Sequence, residues 1–119
     1  MELRYSGYPV RIHAGADSLR RLDSELNRVK SKRAMIVCGR SIATRTDLID
    51  RIKEVCDPST RIACVFANAE TSSPLPSVLE GVALARENNV DCIVSVGGGS
   101  SIVTTRGILI LLAEEGSAF

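Results

Sequence analysis

A strand-like run that leads directly into three consecutive glycines is the feature that most constrains how this chain can fold. Residues 92–96 are mainly apolar and β-branched, as a buried parallel strand requires. Gly97, Gly98 and Gly99 follow, and a helical pattern then continues to about Ala113. Because glycine has no Cβ, the backbone can turn sharply here, and the N–H groups of the first helical turn can face an anion. The pattern therefore predicts a phosphate-binding turn between a strand and a helix.

Two serines follow the glycines and add hydroxyl groups at the predicted helix N-cap. Ser100 and Ser101 are the residues concerned. The spacing differs from the dinucleotide fingerprint G-x-G-x-x-G, since Ile102 stands where the third glycine would be. A tight turn without any ligand is the alternative interpretation.

Strand-like and helix-like segments alternate along the whole chain. The predicted strands are Tyr8–Ala14, Arg33–Gly39, Arg61–Phe66 and Cys92–Val96. The predicted helices run from Asp17 or Ser18 to Val29, from Thr44 or Thr46 to Val55, from Leu75 to Asn88 and from Ser100 to Ala113. Such alternation favours right-handed β-α units on a parallel sheet. We therefore expect an α/β fold, a Rossmann-like three-layer domain with a mostly parallel sheet, with residues 1–119 forming one domain.

Composition excludes several classes of function. A net charge of +1 gives no basis for binding nucleic acid or an anionic membrane, and 3% aromatic residues give no stacking platform. The four cysteines show no C-x-x-C spacing, which favours free thiols in a reducing, cytoplasmic setting: Cys38, Cys56, Cys64 and Cys92. No segment approaches the roughly 20 apolar residues of a membrane-spanning helix.

A second polar loop follows another predicted strand. Gly39, Arg40 and Ser41 stand where Rossmann-type proteins usually carry an acidic residue for the adenosine ribose. A guanidinium pairs well with phosphate oxygens, so Arg40 and Ser41 favour a 2′-phosphate, and hence NADP slightly over NAD. A solvated loop charge at Arg40 is the alternative.

Catalytic and metal-ligating sets are not apparent in the sequence. His13 is the only histidine and has no companion at metal-ligand spacing. One histidine also gives no Ser-His-acid or Cys-His constellation. The polar segment 70–73 follows the third predicted strand and is compatible either with the same crevice or with an ordinary loop. We therefore assign no catalytic residue and no metal ligand.

The segment Asp91–Ile102, D-C-I-V-S-V-G-G-G-S-S-I, resembles the signature of the iron-containing alcohol dehydrogenase family. The preceding segment Ser73–Asn89 is similar to the family's sequence ahead of that signature, and the resemblance extends from Gly15 onward. It implies a nucleotide-binding N-terminal domain whose glycine turn and Ser100 hold the cofactor pyrophosphate. It also implies a following helical domain that holds a divalent metal, iron or zinc.

Two positions depart from the family pattern G-G-G-S-x-x-D-x-x-K. Val103 stands at the acid and Arg106 at the lysine. Arg106 keeps the positive charge, and the similar maleylacetate reductases also lack the acid, so the resemblance still implies cofactor binding. The substrate branch is left open.

The resemblance implies hydride transfer between an alcohol and a carbonyl compound. The metal ligands and the segment completing the nicotinamide site would lie beyond Phe119, so we expect these residues to turn over nothing alone. The last predicted helix is apolar, which predicts that a second copy of the chain in a homodimer, or the following domain, covers it. Two alternatives stay open: a sugar-phosphate cyclase such as dehydroquinate synthase, and a non-catalytic module that binds a nucleotide or a partner chain.

Overall fold

The computed structural model describes residues 11–56, 61–70 and 74–114. A short 3₁₀ turn, Ser18–Arg21, precedes the first helix. The helices and strands, in chain order, are α1 (Leu22–Arg28), β1 (Ala34–Val37), α2 (Arg40–Arg45), α3 (Leu48–Val55), β2 (Ile62–Phe66), α4 (Leu75–Glu87), β3 (Cys92–Ser95) and α5 (Gly99–Glu114).

The three described strands form one parallel sheet in the order β2-β1-β3. β1 is the central strand, and all four of its residues are fully buried. Its apolar character on both faces predicted this position, because a central parallel strand is covered by helices above and below.

Alternate residues of the central strand face two separate cores. Met35 and Val37 pack into a core formed with α4 and α5, whereas Ala34 and Ile36 pack into a core formed with α1 and α3. This alternation follows from the two-residue period of a strand. Helices therefore cover both faces of the sheet, and the predicted α/β three-layer fold is confirmed. That residues 1–119 form a single domain stays a prediction.

The first predicted strand is wrong where it can be examined. Tyr8 to Val10 lie outside the described residues, and residues 11–14 form no strand. Ile12 is 84% exposed, so its apolar side chain does not mark a buried face. The first helix is also shorter than predicted, because a 3₁₀ turn replaces its start and Asp17 makes no side-chain cap.

The helix predicted from Thr44 or Thr46 is two helices. α2 begins at Arg40, directly after Gly39, so Arg40 and Ser41 belong to a helix and not to a loop. α3 follows after a break, where the Thr46 hydroxyl accepts a hydrogen bond from the Leu48 N–H at 3.3 Å. The sequence showed the apolar period of α3, but α2 is too short to display one. Asp57 and Pro58, which predict the end of this helix, lie outside the described residues.

Large apolar side chains predict buried helix faces that the structure does not show. In α4, Leu79 predicts a buried position but is 50% exposed, and the buried face contains Val78, Val82 and Ala85. In α5, the apolar run 108–112 predicts burial nearly all round, but Ile110 is 58% exposed, while Ile108 and Leu112 are buried. Among the described helices, none is both long and apolar enough to span a bilayer. A second subunit or a following domain as cover for α5 stays a prediction.

Asp91 fastens the start of β3 to the turn before β1. Its carboxylate accepts hydrogen bonds from the Ser31 hydroxyl at 2.7 Å, the Lys32 N–H at 2.8 Å and the Arg33 N–H at 3.2 Å. Burial raises the pKa of Asp91, but the donors from Lys32, Ser31 and Arg33 together hold this pKa below its ordinary value.

We expect Asp91→Ala to lower the free energy of unfolding by about 1–2 kcal/mol, because three donors lose a charged acceptor at a partly solvated site. Since the folded-state pKa is depressed, the stabilisation is present above the unfolded pKa and is lost as pH falls through the folded pKa. Urea unfolding at several pH values should therefore show the gap between wild type and Asp91→Ala closing below about pH 4. A gap that stays constant from pH 7 to pH 2 would contradict the assignment.

Candidate functional site

A cleft of about 280 Å³ lies at the carboxyl ends of the strands, between the loops that follow β1 and β3. The chain leaves β1 toward the α3 face of the sheet and leaves β3 toward the α5 face. Two neighbouring strands whose connections depart to opposite faces define the switch point at which open α/β sheets bind ligands. The cleft thus occupies the position that this topology favours for a ligand.

Seven of the eight residues predicted to hold a cofactor line this one cleft. The lining residues are Gly39, Arg40, Ser41, Ile42, Ala69, Gly98, Gly99, Ser100 and Ser101. The eighth predicted residue, Gly97, lies directly before Gly98 and shapes the turn from outside the lining. The structure therefore brings together the two polar segments that the sequence predicted at one edge of the sheet.

Gly97 is required by the backbone itself. Its φ is +117°, a region that side chains with a Cβ rarely adopt. A Cβ here would also lie 3.2 Å from the Ser101 Oγ. The turn that redirects the chain from β3 into α5 therefore depends on glycine at this position.

Gly98 and Gly99 are not required by the fold. Neither has a positive φ, and a Cβ on either would meet no atom within 4 Å. Gly98 directly precedes the 16-residue helix α5, a position where Ser, Thr, Asp or Asn usually cap the helix. A Cβ at these positions would occupy open space beside the cleft, so the absence of side chains leaves the helix N-terminus accessible to a ligand.

The hydroxyl of Ser101 is engaged within the protein. It donates to the carbonyl oxygen of Val96 at 2.8 Å, and the residue is 3% exposed. That proton ties the end of β3 to the first turn of α5, and a role for Ser101 in cofactor binding stays a prediction. Ser101 lines the cleft, and its hydrogen bond to Val96 stabilises the glycine turn.

The electrostatics of the cleft favour an anion. Its nine lining residues include Arg40 and contain no Asp or Glu. The N-terminus of α5 adds the positive end of a helix dipole. The cleft can therefore accept phosphate oxygens through backbone donors, with a guanidinium at its rim.

Arg40 is held by a chain of side-chain hydrogen bonds that extends away from the cleft. Its Nη2 donates to the Oδ1 of Asn68 at 3.3 Å, and the Nδ2 of Asn68 donates to the Oε2 of Glu80 at 2.9 Å. Ser77, which is buried, donates to the carbonyl oxygen of Asn68 at 2.6 Å. Sequence reasoning did not identify Asn68 or the neighbouring Ala69 as site residues, because their proximity to Gly39 depends on the order of the strands in the sheet.

Reactive side chains elsewhere in the described part of the chain are buried or engaged in ion pairs. Cys38 directly precedes Gly39, but burial raises the pKa of its thiol and keeps it neutral. Two larger hollows, of about 480 and 560 Å³, lie beside residues 12–21. Beside the larger hollow, the Glu25 carboxylate accepts hydrogen bonds from His13 at 3.1 Å and from Arg11 and Arg28 at 2.9 Å each, so this carboxylate is already engaged within the protein.

The polar segment 70–73 does not take part in the described cleft. Glu70 is exposed and is not among the lining residues, and residues 71–73 lie outside the described part of the chain. Within the ranges that the structure describes, no three His, Cys, Asp or Glu side chains are grouped so that they could hold a metal ion.

The parallel sheet, the helices on both faces and the glycine turn at the switch point define a Rossmann-like α/β domain. Residues 9–119 match the family described as iron-containing alcohol dehydrogenase, and the chain belongs to this family. The resemblance carried by the Asp91–Ile102 segment is thereby confirmed.

Similar proteins include alcohol dehydrogenases and maleylacetate reductases. A probable NADH-dependent butanol dehydrogenase of Bacillus subtilis is 29% identical over 93% of this chain and 28% of its own length. A maleylacetate reductase of Sphingobium indicum is 27% identical over 94% of this chain and 30% of its own length. The crystal structure of a putative alcohol dehydrogenase from Ralstonia eutropha superimposes with a TM-score of 0.78 at 29% identity, covering 92% of this chain and 30% of that one. The chain thus spans less than a third of the length of these relatives.

Proposed function

We propose that this chain is the cofactor-binding part of an NAD-dependent alcohol dehydrogenase, and that the cleft between the β1 and β3 loops holds the dinucleotide. The observation that carries the proposal is the pair Gly98 and Gly99, which the backbone does not require and which keep the helix N-terminus open. Glycine is an acceptable N-cap residue in any helix, so the support comes from the open space beside both glycines, which lies in the same cleft as Arg40.

The two sides of the cleft would hold different parts of the cofactor. The glycine turn and the first N–H groups of α5 would bind the pyrophosphate, because its charge matches the helix dipole. Gly39, Arg40 and Ser41 would contact the adenosine ribose, since they occupy the position of the ribose-binding residue in Rossmann-like domains. The bound nicotinamide would supply the hydride that is exchanged between an alcohol and a carbonyl compound.

We propose NAD(H) as the cofactor. The relatives named for their cofactor are described as NADH-dependent or NAD-dependent, so the slight preference for NADP expected from Arg40 has no support among them. All four cysteines are free thiols, which agrees with a reducing compartment and a cytoplasmic setting.

Titration of NADH into the purified chain tests the proposal. We expect saturable binding, followed by the change in nicotinamide fluorescence, and a rise in melting temperature. Ligand at 100 times Kd should stabilise the native state by about 2.7 kcal/mol. Nicotinamide mononucleotide, which lacks the pyrophosphate and the adenosine, is the control and should bind far more weakly. A folded chain that shows no saturable NADH binding would contradict the proposal.

A further inference from the structure

Chemistry fixes the orientation of the Asn68 amide. A guanidinium can only donate hydrogen bonds, and an ionised carboxylate can only accept them. The amide oxygen therefore faces Arg40, with Oδ1 at 3.3 Å from Nη2. The amide nitrogen faces Glu80, with Nδ2 at 2.9 Å from Oε2. The backbone of Asn68 is fixed independently, because the buried Ser77 donates to its carbonyl oxygen. Asn68 thus presents an oriented acceptor to Arg40.

A neutral acceptor holds Arg40 without cancelling its charge. Among the described residues, no carboxylate lies within ion-pairing distance of Arg40, and Glu80 reaches it only through the Asn68 amide. A guanidinium has five N–H donors, of which the contact with Asn68 engages one. Arg40 lines the cleft, so its positive charge lies at the rim, and among the described residues Asn68 is the partner that its guanidinium contacts.

We propose that Asn68, oriented by Glu80, is a positioning residue that holds the Arg40 guanidinium where it meets a 2′-phosphate on the adenosine ribose. The inference rests on the proposed function, because it assumes that the dinucleotide lies in this cleft. Its consequence is that the chain accepts NADPH as well as NADH, and that Asn68 sets the ratio of the two dissociation constants. A phosphate gains a charge-assisted contact with Arg40, whereas the free 2′-hydroxyl of NADH does not.

The test is a double-mutant cycle on the ratio Kd(NADPH)/Kd(NADH). Asn68→Ala is expected to raise this ratio about threefold to tenfold, because Arg40 loses its fixed position and part of its charge-assisted contact. Arg40→Ala should raise the ratio at least as much. Adding Asn68→Ala to Arg40→Ala should then leave the ratio unchanged, because the two residues act through one contact.

Asn27→Ala is the matched control, since Asn27 is an exposed asparagine on α1, far along the chain from the cleft. It should leave the ratio at the wild-type value. A purely structural role for Asn68 would weaken both cofactors equally and would leave the ratio unmoved.

The outcomes separate this inference from the proposed function. The inference alone is overturned if the wild type binds both cofactors and Asn68→Ala leaves the ratio unchanged. It is also overturned if Asn68→Ala changes the ratio by the same factor in the Arg40→Ala background as in the wild type. Arg40 is exposed, so Arg40→Ala should fold in any case, and an unchanged ratio in that variant also overturns it. A wild-type chain that binds neither dinucleotide overturns both.

Discussion

Gly98→Asp is expected to weaken NADH binding by on the order of 100-fold while leaving the folded chain as stable as the wild type or slightly more stable. The new carboxylate would stand beside the proposed pyrophosphate, and its Cβ would occupy space that the structure leaves open. Charge repulsion and the added side chain both weaken the bound state. The repulsion would be new to the cleft, because its lining contains no acidic residue.

Stability should not fall, because position 98 directly precedes α5. Aspartate is a favoured N-cap residue, and its charge interacts favourably with the helix dipole, by about 0.3–1 kcal/mol. Gly98 has no positive φ, so an L-residue fits without backbone strain. NADH affinity is thus expected to fall while the stability of the folded chain stays the same or rises. Thermal melting and NADH titration of the same sample measure both.

Two variants serve as controls for this prediction. Gly97→Ala should lower the free energy of unfolding by about 1–3 kcal/mol, because its φ of +117° disfavours a Cβ. Asn27→Asp adds the same charge on α1 and should leave NADH affinity within about twofold of wild type, because exposed charges are screened beyond about 10 Å. If Gly98→Asp bound NADH as tightly as the wild type, the pyrophosphate could not lie at this turn.

The contrast between Gly97 and Gly98 also shows what the sequence could not determine. Three adjacent glycines look equivalent in a sequence, although one is required by its backbone angle and the next by nothing in the fold. The backbone angles and the space around each residue distinguish the glycine that the turn requires from the one that the fold does not require. The location of the turn was predictable, because an apolar β-branched run and a helical run enclose it.

The order of the strands explains the other half of the site. Predicting that both polar loops lie at the carboxyl edge required only that the sheet be parallel. Predicting that they face each other required β1 to pair with β3, which is a property of the whole sheet. Asn68 was missed for the same reason, since its contact with Arg40 depends on β2 lying on the other side of β1.

The errors in the helices have a common physical cause. Leu79 and Ile110 are apolar, yet each is at least half exposed. Hydrophobic periodicity assigns a face by its large side chains, whereas α4 and α5 approach each other through glycine. Gly81 faces Ile108, and Gly107 faces Val78, so the smallest residues mark the buried seam. A periodicity that counts large apolar side chains therefore misses this contact between α4 and α5.

This seam yields the second prediction of large effect, which concerns stability. Gly81→Ala is expected to lower the free energy of unfolding by about 1–2 kcal/mol, although alanine is normally the better helix former by about 1 kcal/mol. The new Cβ would overlap the Cδ1 of Ile108, and would lie 3.0 Å from the Ile108 Cγ1 and 3.4 Å from the Phe66 Cε2. Ile108 is fully buried and Phe66 is 5% exposed, so admitting the methyl group requires side chains to shift within the core.

Removing the overlapping atom should restore much of that loss. Ile108→Val deletes Cδ1, and alone it should cost about 0.5–1.5 kcal/mol through the small cavity it leaves. In the double variant the alanine methyl occupies part of that cavity, so its total cost should be at least about 0.5 kcal/mol less than the sum of the two single variants. Gly99→Ala is the control, because a Cβ there meets nothing within 4 Å and should not destabilise the chain. Urea unfolding of the four variants measures the coupling directly. Strictly additive costs would mean that α4 and α5 separate to admit the methyl group, and that the glycine seam does not fix their spacing.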